Sequence, residues 1–171
     1  EANDYKLNTG FLSTPFLLPV LAECGYPETA FRILEQTEHP SWLHAVVLGA
    51  TTILESWDGM DVHDASFNHY SYGAVCEFLF GYVAGIRPDF ENPGYKTFKL
   101  QPLMGGSLTD ARAVCESQYG TIVSEWKRQG EEWEYHCKIP VNTKAEVTLP
   151  DGRTEVLGSG EYYRRGTRRH M

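Results

Sequence analysis

The chain has 171 residues, of which 42% are hydrophobic and 22% charged, the composition of one ordinary globular domain or two small ones. The formal net charge is −8, and residues 1–92 carry 13 acids against 3 bases. An acidic half of this kind is a poor nucleic-acid surface, because phosphate binding needs clustered Lys and Arg. No apolar run approaches the length of a membrane span. We therefore expect neither a nucleic-acid partner nor a membrane partner.

The chain contains four cysteines, Cys24, Cys76, Cys115 and Cys137. They form no CxxC motif and no Cys/His pair at zinc spacing, so no metal site is implied. All four lie on stretches whose pattern indicates burial, which favours a reduced or merely structural set, although one or two disulfides remain open. Residues 1–11 lack the basic start and apolar stretch of a secretion signal, so a cytoplasmic location is slightly favoured.

Residues 1–90 carry apolar side chains at helical spacing. Four helices are predicted: from Ser13 to Gly25 with Pro19 kinking it or delaying its start, over 27–36, from Ser41 to Ala50, and from Ser66 or Asn68 to about Gly85. The last is apolar around nearly its whole circumference, so we expect it to be packed on all sides. Four such helices cannot bury all their apolar surface against one another and a small sheet domain. Either a partner covers them or earlier sequence is missing.

After residue 94 the hydrophobic period drops to two, and turn residues separate six or seven short segments rich in β-branched and aromatic residues. Gly130 and the Asp151-Gly152 pair mark two hairpins. Strands at this spacing predict an antiparallel β-sandwich. Because helices come first and strands second, we predict a segregated α+β fold with two domains, residues 1–90 and 91–171.

Functional residue types are densest between residues 49 and 72, where acids, histidines and aromatic side chains interrupt the helical pattern. Carboxylates that accept hydroxyl hydrogen bonds, next to rings that cover the apolar face of a pyranose, are typical of sugar sites. The alternative is a solvated acidic loop, in which Glu55 ends a helix, Trp57 packs in the core and His69 caps the next helix. The absence of GxGxxG, P-loop and GxSxG motifs argues against nucleotide and serine-esterase chemistry, and we expect no cofactor.

Two motifs in this stretch carry a family resemblance. GATTILESWDG at 49–59 and SFNHYSYGAVCEFLFGYVAGIRPD at 66–89, with TGFLSTPFLLPVLAECGYPETAFRILEQTEHPSW at 9–42, closely resemble the C-terminal part of bacterial α-L-rhamnosidases of the inverting glycoside hydrolase type. The resemblance runs from about Leu7 to Leu103 and continues more loosely through the strand half. It implies a catalytic (α/α)6 barrel, of which these residues form only the last helices, followed by the terminal β-sandwich.

The resemblance also implies roles for four residues. Glu55 is expected to be the general base that activates water, and His69 to contribute to the sugar subsite, with Trp57 and Tyr70 lining the pocket. The proton donor of the family lies upstream, in a part of the barrel that this chain does not contain. The acids near Glu55 in the sequence are Asp58, Asp61 and Asp64, and their spacing does not indicate that any of them replaces this proton donor.

The expected parent reaction is therefore single-displacement removal of terminal α-L-rhamnose from a rhamnosylated glycoside or oligosaccharide. We expect the isolated chain to hold the base and part of a subsite without turnover. Two other interpretations remain: a non-catalytic carbohydrate-binding or accessory protein, and a structural module that docks a partner through its apolar helices. If the chain exists alone, we expect copies to associate through residues 11–48 and 67–86.

Overall fold

The computed structural model describes residues 3–59 and 63–168. Contacts divide the chain into two compact units. The helical unit runs to Phe78 and includes Gly105–Ser107, and the sheet unit consists of Leu79–Met104 and the residues from Leu108 onward. Every α-helix of the described residues lies in the first unit and every strand in the second, so the fold is a segregated α+β one. The domain boundary after residue 90 stays a prediction.

The first three predicted helices are present. They are α1 Thr14–Glu23, α2 Pro27–Leu34 and α3 Trp42–Val47. Ser13 is the N-cap residue of α1, and Gly25 follows the helix at a positive φ of 86° that suits glycine. The helix starts at Thr14 and continues through Pro19, so Pro19 does not delay it. The Ser41 side chain accepts a hydrogen bond from the backbone N–H of His44 and caps α3.

The fourth predicted helix is broken into three pieces. They are α4 Tyr70–Gly73, α5 Val75–Glu77 and a π-helix at Phe78–Val83. The chain itself does not cover this segment on all sides, because Leu79 is 42% exposed and Cys76 is exposed. The wider π-turn turns Phe78 and Val83 inward and leaves Leu79 outside. The predicted burial of the cysteines fails at Cys24 as well, and all four thiols are free.

Eight strands lie in the described part of the chain. They are β1 Ile86–Pro88, β2 Thr97–Leu100, β3 Asp110–Ser117, β4 Gly120–Gln129, β5 Glu132–Ile139, β6 Lys144–Thr148, β7 Thr154–Leu157 and β8 Gly160–Thr167. They form two four-stranded sheets, in the orders β1-β2-β6-β7 and β3-β4-β5-β8. The prediction of a purely antiparallel domain needs one correction, because β2 and β6 pair in parallel. Strand β6 returns from the other sheet rather than through a hairpin, so no tight turn forces an antiparallel direction.

The core of the sheet unit is built from buried residues of β4 and β5; in β5 they alternate with more exposed ones, and in β4 residues 122–124 are buried in succession. Trp126 Nε1 donates to the Val83 carbonyl at 2.7 Å, so this buried indole has its hydrogen-bond partner. Burial raises the pKa of the Cys137 thiol to about 12, which keeps the sulfur protonated. Arg164 makes a two-pronged ion pair with Glu155 and thereby links β8 of one sheet to β7 of the other.

Candidate functional site

A pair of extended segments in the helical unit brings the predicted acid and histidine together. The backbone N–H of Glu55 donates to the Ser66 carbonyl at 2.9 Å, and that of His69 donates to the Ile53 carbonyl at 2.9 Å. The Leu54 side chain is 5% exposed and anchors the first segment in the core of the unit. The two motifs are therefore neighbours in space as well as in sequence.

One carboxylate oxygen of Glu55 is fixed and the other is open. Oε2 accepts a hydrogen bond from the backbone N–H of Ser66 at 2.6 Å, and Oε1 lies 4.0 Å from His69 Nε2. The Glu55 side chain is 34% exposed, so it belongs neither to a closed core nor to a fully solvated loop. A carboxylate that is held on one side and open on the other can accept a proton from a bound water.

His69 is the N-cap residue of α4, as the alternative interpretation of the sequence expected. Its Nδ1 accepts a hydrogen bond from the backbone N–H of Ser71 at 3.3 Å. In the neutral ring this bond assigns the hydrogen to Nε2, the nitrogen that faces Glu55. The imidazole is stacked between Phe11 and Tyr70, with ring centroids 5.0 and 5.1 Å away. Capping and stacking together fix the direction in which Nε2–H points.

Trp57 lies inside an aromatic cluster. Its ring stacks on Tyr72 with centroids 3.7 Å apart, its edge meets Trp42, and its Nε1 donates to the Thr9 carbonyl at 2.9 Å. These contacts suit a packing role, whereas Tyr70 is 85% exposed and presents an open ring. Burial raises the pKa of Tyr72, and the nearby Asp58 carboxylate adds to that shift.

Phe11 and Tyr72 also belong to this cluster, although no sequence pattern predicted them as site residues. Phe11 lies between His69 and Tyr72, with centroid distances of 5.0 Å to each ring. It comes more than fifty residues before them in the chain, and no local spacing relates it to the site. The TGF stretch within the family motif is the only sequence signal that could have found it.

The nearby acids offer no protected carboxyl. Asp58 is 75% exposed and lies 3.2 Å from His39 Nε2, while Asp64 is exposed at a φ of 74°. Asp61 lies outside the described residues. These exposed side chains lack the buried surroundings that are typical of a general acid.

The site is partly open to solvent, because the side chains of Glu55 and His69 are 34% and 23% exposed. The cavity that borders Leu54 and Trp57 measures about 10 Å³, room for one water at most. Within residues 3–59 and 63–168, no group of three His, Cys, Asp or Glu side chains could hold a metal ion. No helix in the same ranges is long and apolar enough to cross a membrane.

The sequence matches two consecutive domains of one family. Residues 1–83 match the bacterial alpha-L-rhamnosidase 6 hairpin glycosidase domain, and residues 85–164 match the bacterial alpha-L-rhamnosidase C-terminal domain. The chain belongs to the bacterial α-L-rhamnosidase family. Glu55 and His69 fall in the stretch that matches the glycosidase domain, and the two sheets fall mainly in the stretch that matches the C-terminal domain.

Several relatives support this assignment. The chain is 40% identical over 157 residues to an alpha-L-rhamnosidase of Streptomyces avermitilis, covering 88% of this chain and 15% of that protein. It is 35% identical over 161 residues to an alpha-L-rhamnosidase of Formosa agariphila, and the match covers 90% of this chain and 17% of that protein.

Solved α-L-rhamnosidase structures show the same fold. The native enzyme of Aspergillus terreus matches with a TM-score of 0.91 and 33% identity over 96% of this chain and 20% of that one. The Streptomyces avermitilis enzyme complexed with L-rhamnose matches with a TM-score of 0.87 and 36% identity, covering 96% of this chain and 18% of that one. The chain thus spans about a fifth or less of the length of these relatives.

Proposed function

We propose that the helical unit carries part of the active site of an inverting α-L-rhamnosidase, with Glu55 as the general base. The supporting observation is the held and partly exposed carboxylate of Glu55 beside the Nε2–H of His69. The Ser66 N–H that bonds Oε2 holds the carboxylate in place and leaves Oε1 free for water. Both residues lie in the stretch that matches a glycosidase domain.

In the proposed reaction, water bound to Glu55 Oε1 attacks the anomeric carbon of rhamnose. The carboxylate takes a proton from that water while the bond from the anomeric carbon to the leaving oxygen breaks. A second carboxyl group, roughly 6.5–9.5 Å from the first, must protonate the leaving oxygen in an inverting enzyme. Asp58 and Asp64 are too exposed for this task, so we assign the acid to a part of the parent enzyme outside this sequence.

His69 is proposed to bind the sugar through its Nε2–H, which can donate to a ring hydroxyl or to Glu55. Tyr70 is proposed to line the pocket with its open ring. Trp57 is proposed to border the same subsite, although one face of its indole is already covered by Tyr72. A relative of known structure is described as complexed with L-rhamnose, which supports a rhamnoside as the ligand class.

The helices are proposed to be the last hairpins of a helical barrel. Residues 1–83 match a 6 hairpin domain, and three of its apolar side chains, Leu12, Phe16 and Val20, are 89%, 66% and 51% exposed. The four-residue spacing of Phe16 and Val20 places these two on one stripe of α1, and Leu12 lies just before the helix. Earlier hairpins of the parent enzyme would cover this stripe.

The test is Glu55→Gln in the full-length parent enzyme, assayed on an aryl α-L-rhamnoside. The amide keeps the shape of the side chain but cannot accept the proton, so we expect kcat to fall by about a thousandfold with KM nearly unchanged. Added azide, which needs no general base, should restore turnover and give the β-linked rhamnosyl azide. Glu77→Gln, an exposed carboxyl in the same unit, is the matched control. Full activity of Glu55→Gln would refute the assignment.

The isolated chain gives a second test. Because the acid is assigned elsewhere, we expect no hydrolysis of the aryl rhamnoside by these 171 residues alone. Hydrolysis that is abolished by Glu55→Gln in the isolated chain would locate the acid within it and overturn that part of the proposal.

A further inference from the structure

A cavity of about 560 Å³ lies on the outer face of the β3-β4-β5-β8 sheet, and none of the residues that line it is assigned to hydrolysis. Strand register places two rows of side chains along it. The first row is Glu125, His136 and Tyr163, and the second is Lys127, Glu134 and Arg165. The volume falls within the range of small-molecule sites, roughly 300–1,000 Å³.

The first row contains a rigid aromatic pair. The rings of His136 and Tyr163 stack with centroids 4.4 Å apart and planes 13° from parallel. Glu161 locks both, accepting from His136 Nε2 at 2.7 Å and from the Tyr163 hydroxyl at 3.2 Å. These two bonds lower the pKa of Glu161, which keeps it ionised. Tyr163 is nevertheless 69% exposed, so the pair is open to a ligand and already ordered.

Three bases line the cavity, of which Arg164 is paired with Glu155, and the other two are balanced by Glu125 and Glu134. Glu125 lies 3.8 Å from Lys127 Nζ, and in the second row Glu134 stands between Lys127 and Arg165 in the register. An anion would meet the carboxylates and a cation would meet the bases, so neither gains from the local field. A neutral ligand rich in hydroxyls can donate to the carboxylates and accept from the bases. Stacked rings beside such groups suit the apolar face of a sugar.

We propose that this cavity is a non-catalytic binding site for a neutral mono- or disaccharide on the sheet unit. The site is independent of Glu55, because none of its residues belongs to the helical unit. It would hold a glycan in place while a different part of that glycan is processed, which raises the local concentration of substrate.

The experiment titrates the full chain with L-rhamnose and with cellobiose and follows the ring signals of His136 and Tyr163 by NMR. We expect saturable shifts for at least one sugar. Tyr163→Ala should weaken binding by about tenfold through loss of the stacking surface. Phe90→Ala, which removes an 89% exposed ring in the same unit, should leave it unchanged.

Two further variants separate this proposal from the catalytic one and from misfolding. Glu55→Gln should leave the shifts at His136 and Tyr163 intact, so the two proposals can fail separately. Glu134→Gln changes one exposed hydrogen-bonding group and should also weaken sugar binding while the thermal midpoint stays unchanged. The proposal is overturned if neither sugar shifts these signals, or if Tyr163→Ala and Glu134→Gln bind sugar as tightly as the native chain. It is also overturned if sodium sulfate displaces the sugar from the site, because the site would then be one for anions.

Discussion

The two units differ in how completely they bury their own apolar side chains. Eight of the fully buried large side chains in the described residues belong to the sheet unit, and four belong to the helical unit. Exposure shows the reverse: ten large hydrophobic residues are exposed in the helical unit and six in the sheet unit. The sheet unit therefore has a more nearly complete core, whereas the helical unit has apolar surface left for something else to cover.

This difference follows from how each element buries its residues. A strand in a two-layer sheet has one inner face, and the alternating residues of β5 fill that face with Trp133, Tyr135 and Cys137. A helix in a ring of hairpins contacts neighbours on several sides, so a few helices alone leave stripes uncovered. The candidate catalytic residues lie in the less complete unit, where a site shared with further sequence would be expected.

The largest expected effect tests the core that the helical unit does possess. A Cβ at Gly105 would lie 2.2 Å from the ring of Phe31, which is fully buried and packs edge-on against Phe78. Gly105→Ala should therefore lower the free energy of unfolding by about 3 kcal/mol, since the ring has no room to move. Urea unfolding measures this, with Gly10→Ala as control because nothing lies within 4 Å of that position. Equal stabilities of the two variants would contradict the packing described.

The next effect compares two buried indoles of the sheet unit. Trp126 Nε1 donates to the Val83 carbonyl, whereas Trp133 Nε1 is buried without a hydrogen-bond partner among the described residues. Trp126→Phe leaves the Val83 carbonyl without its hydrogen-bond donor, whereas Trp133→Phe removes an N–H that has no hydrogen-bond partner among the described residues. We expect Trp126→Phe to cost about 2 kcal/mol more in urea unfolding. A larger loss for Trp133→Phe would show that its indole N–H has a partner after all.

Local sequence signals predicted much of this architecture. Ser41 marked the start of α3 and caps it, and Ser13 marked the start of α1 although its side chain makes no cap hydrogen bond. Gly130 and the Asp151-Gly152 pair marked the turns of two hairpins. These signals work because caps and turns are decided by a few adjacent residues. The π-helix at Phe78–Val83, strand β1 and the parallel β2–β6 pair were missed, because they depend on contacts distant in sequence.

The candidate site was harder to predict from the residues alone. Composition between residues 49 and 72 left a sugar site and a solvated loop about equally open, and the family resemblance decided the roles of Glu55 and His69. Their proximity comes from the pairing of two segments, which no spacing rule gives. The cavity near Tyr163 is likewise a product of strand register across β4, β5 and β8.

A smaller effect is expected on self-association. Phe16 and Val20 are exposed one turn apart on α1, and such a stripe should pair copies of the isolated chain. Phe16→Gln with Val20→Gln keeps helix propensity and should lower the association constant about tenfold, measured by sedimentation velocity. Val141→Ser with Val156→Ser, at exposed positions of the sheet unit, should have no such effect. A native chain that stays monomeric at high concentration would refute the prediction.

The smallest effect concerns the ion pair that joins the two sheets. The Arg164 guanidinium bonds to the Glu155 carboxylate and lowers the pKa of that carboxyl below its ordinary 4.5. Because the folded pKa lies below the unfolded one, the stabilisation is complete above the unfolded value and is lost as the pH falls through the folded one. Glu155→Gln should thus cost about 1 kcal/mol at pH 7 and progressively less below pH 4.5. Urea unfolding at pH 7 and below pH 4.5 measures the free energy of unfolding that Glu155→Gln loses at each pH, with the exposed Glu146→Gln as control. A loss that does not shrink in acid would mean that packing, not charge, links the two sheets here.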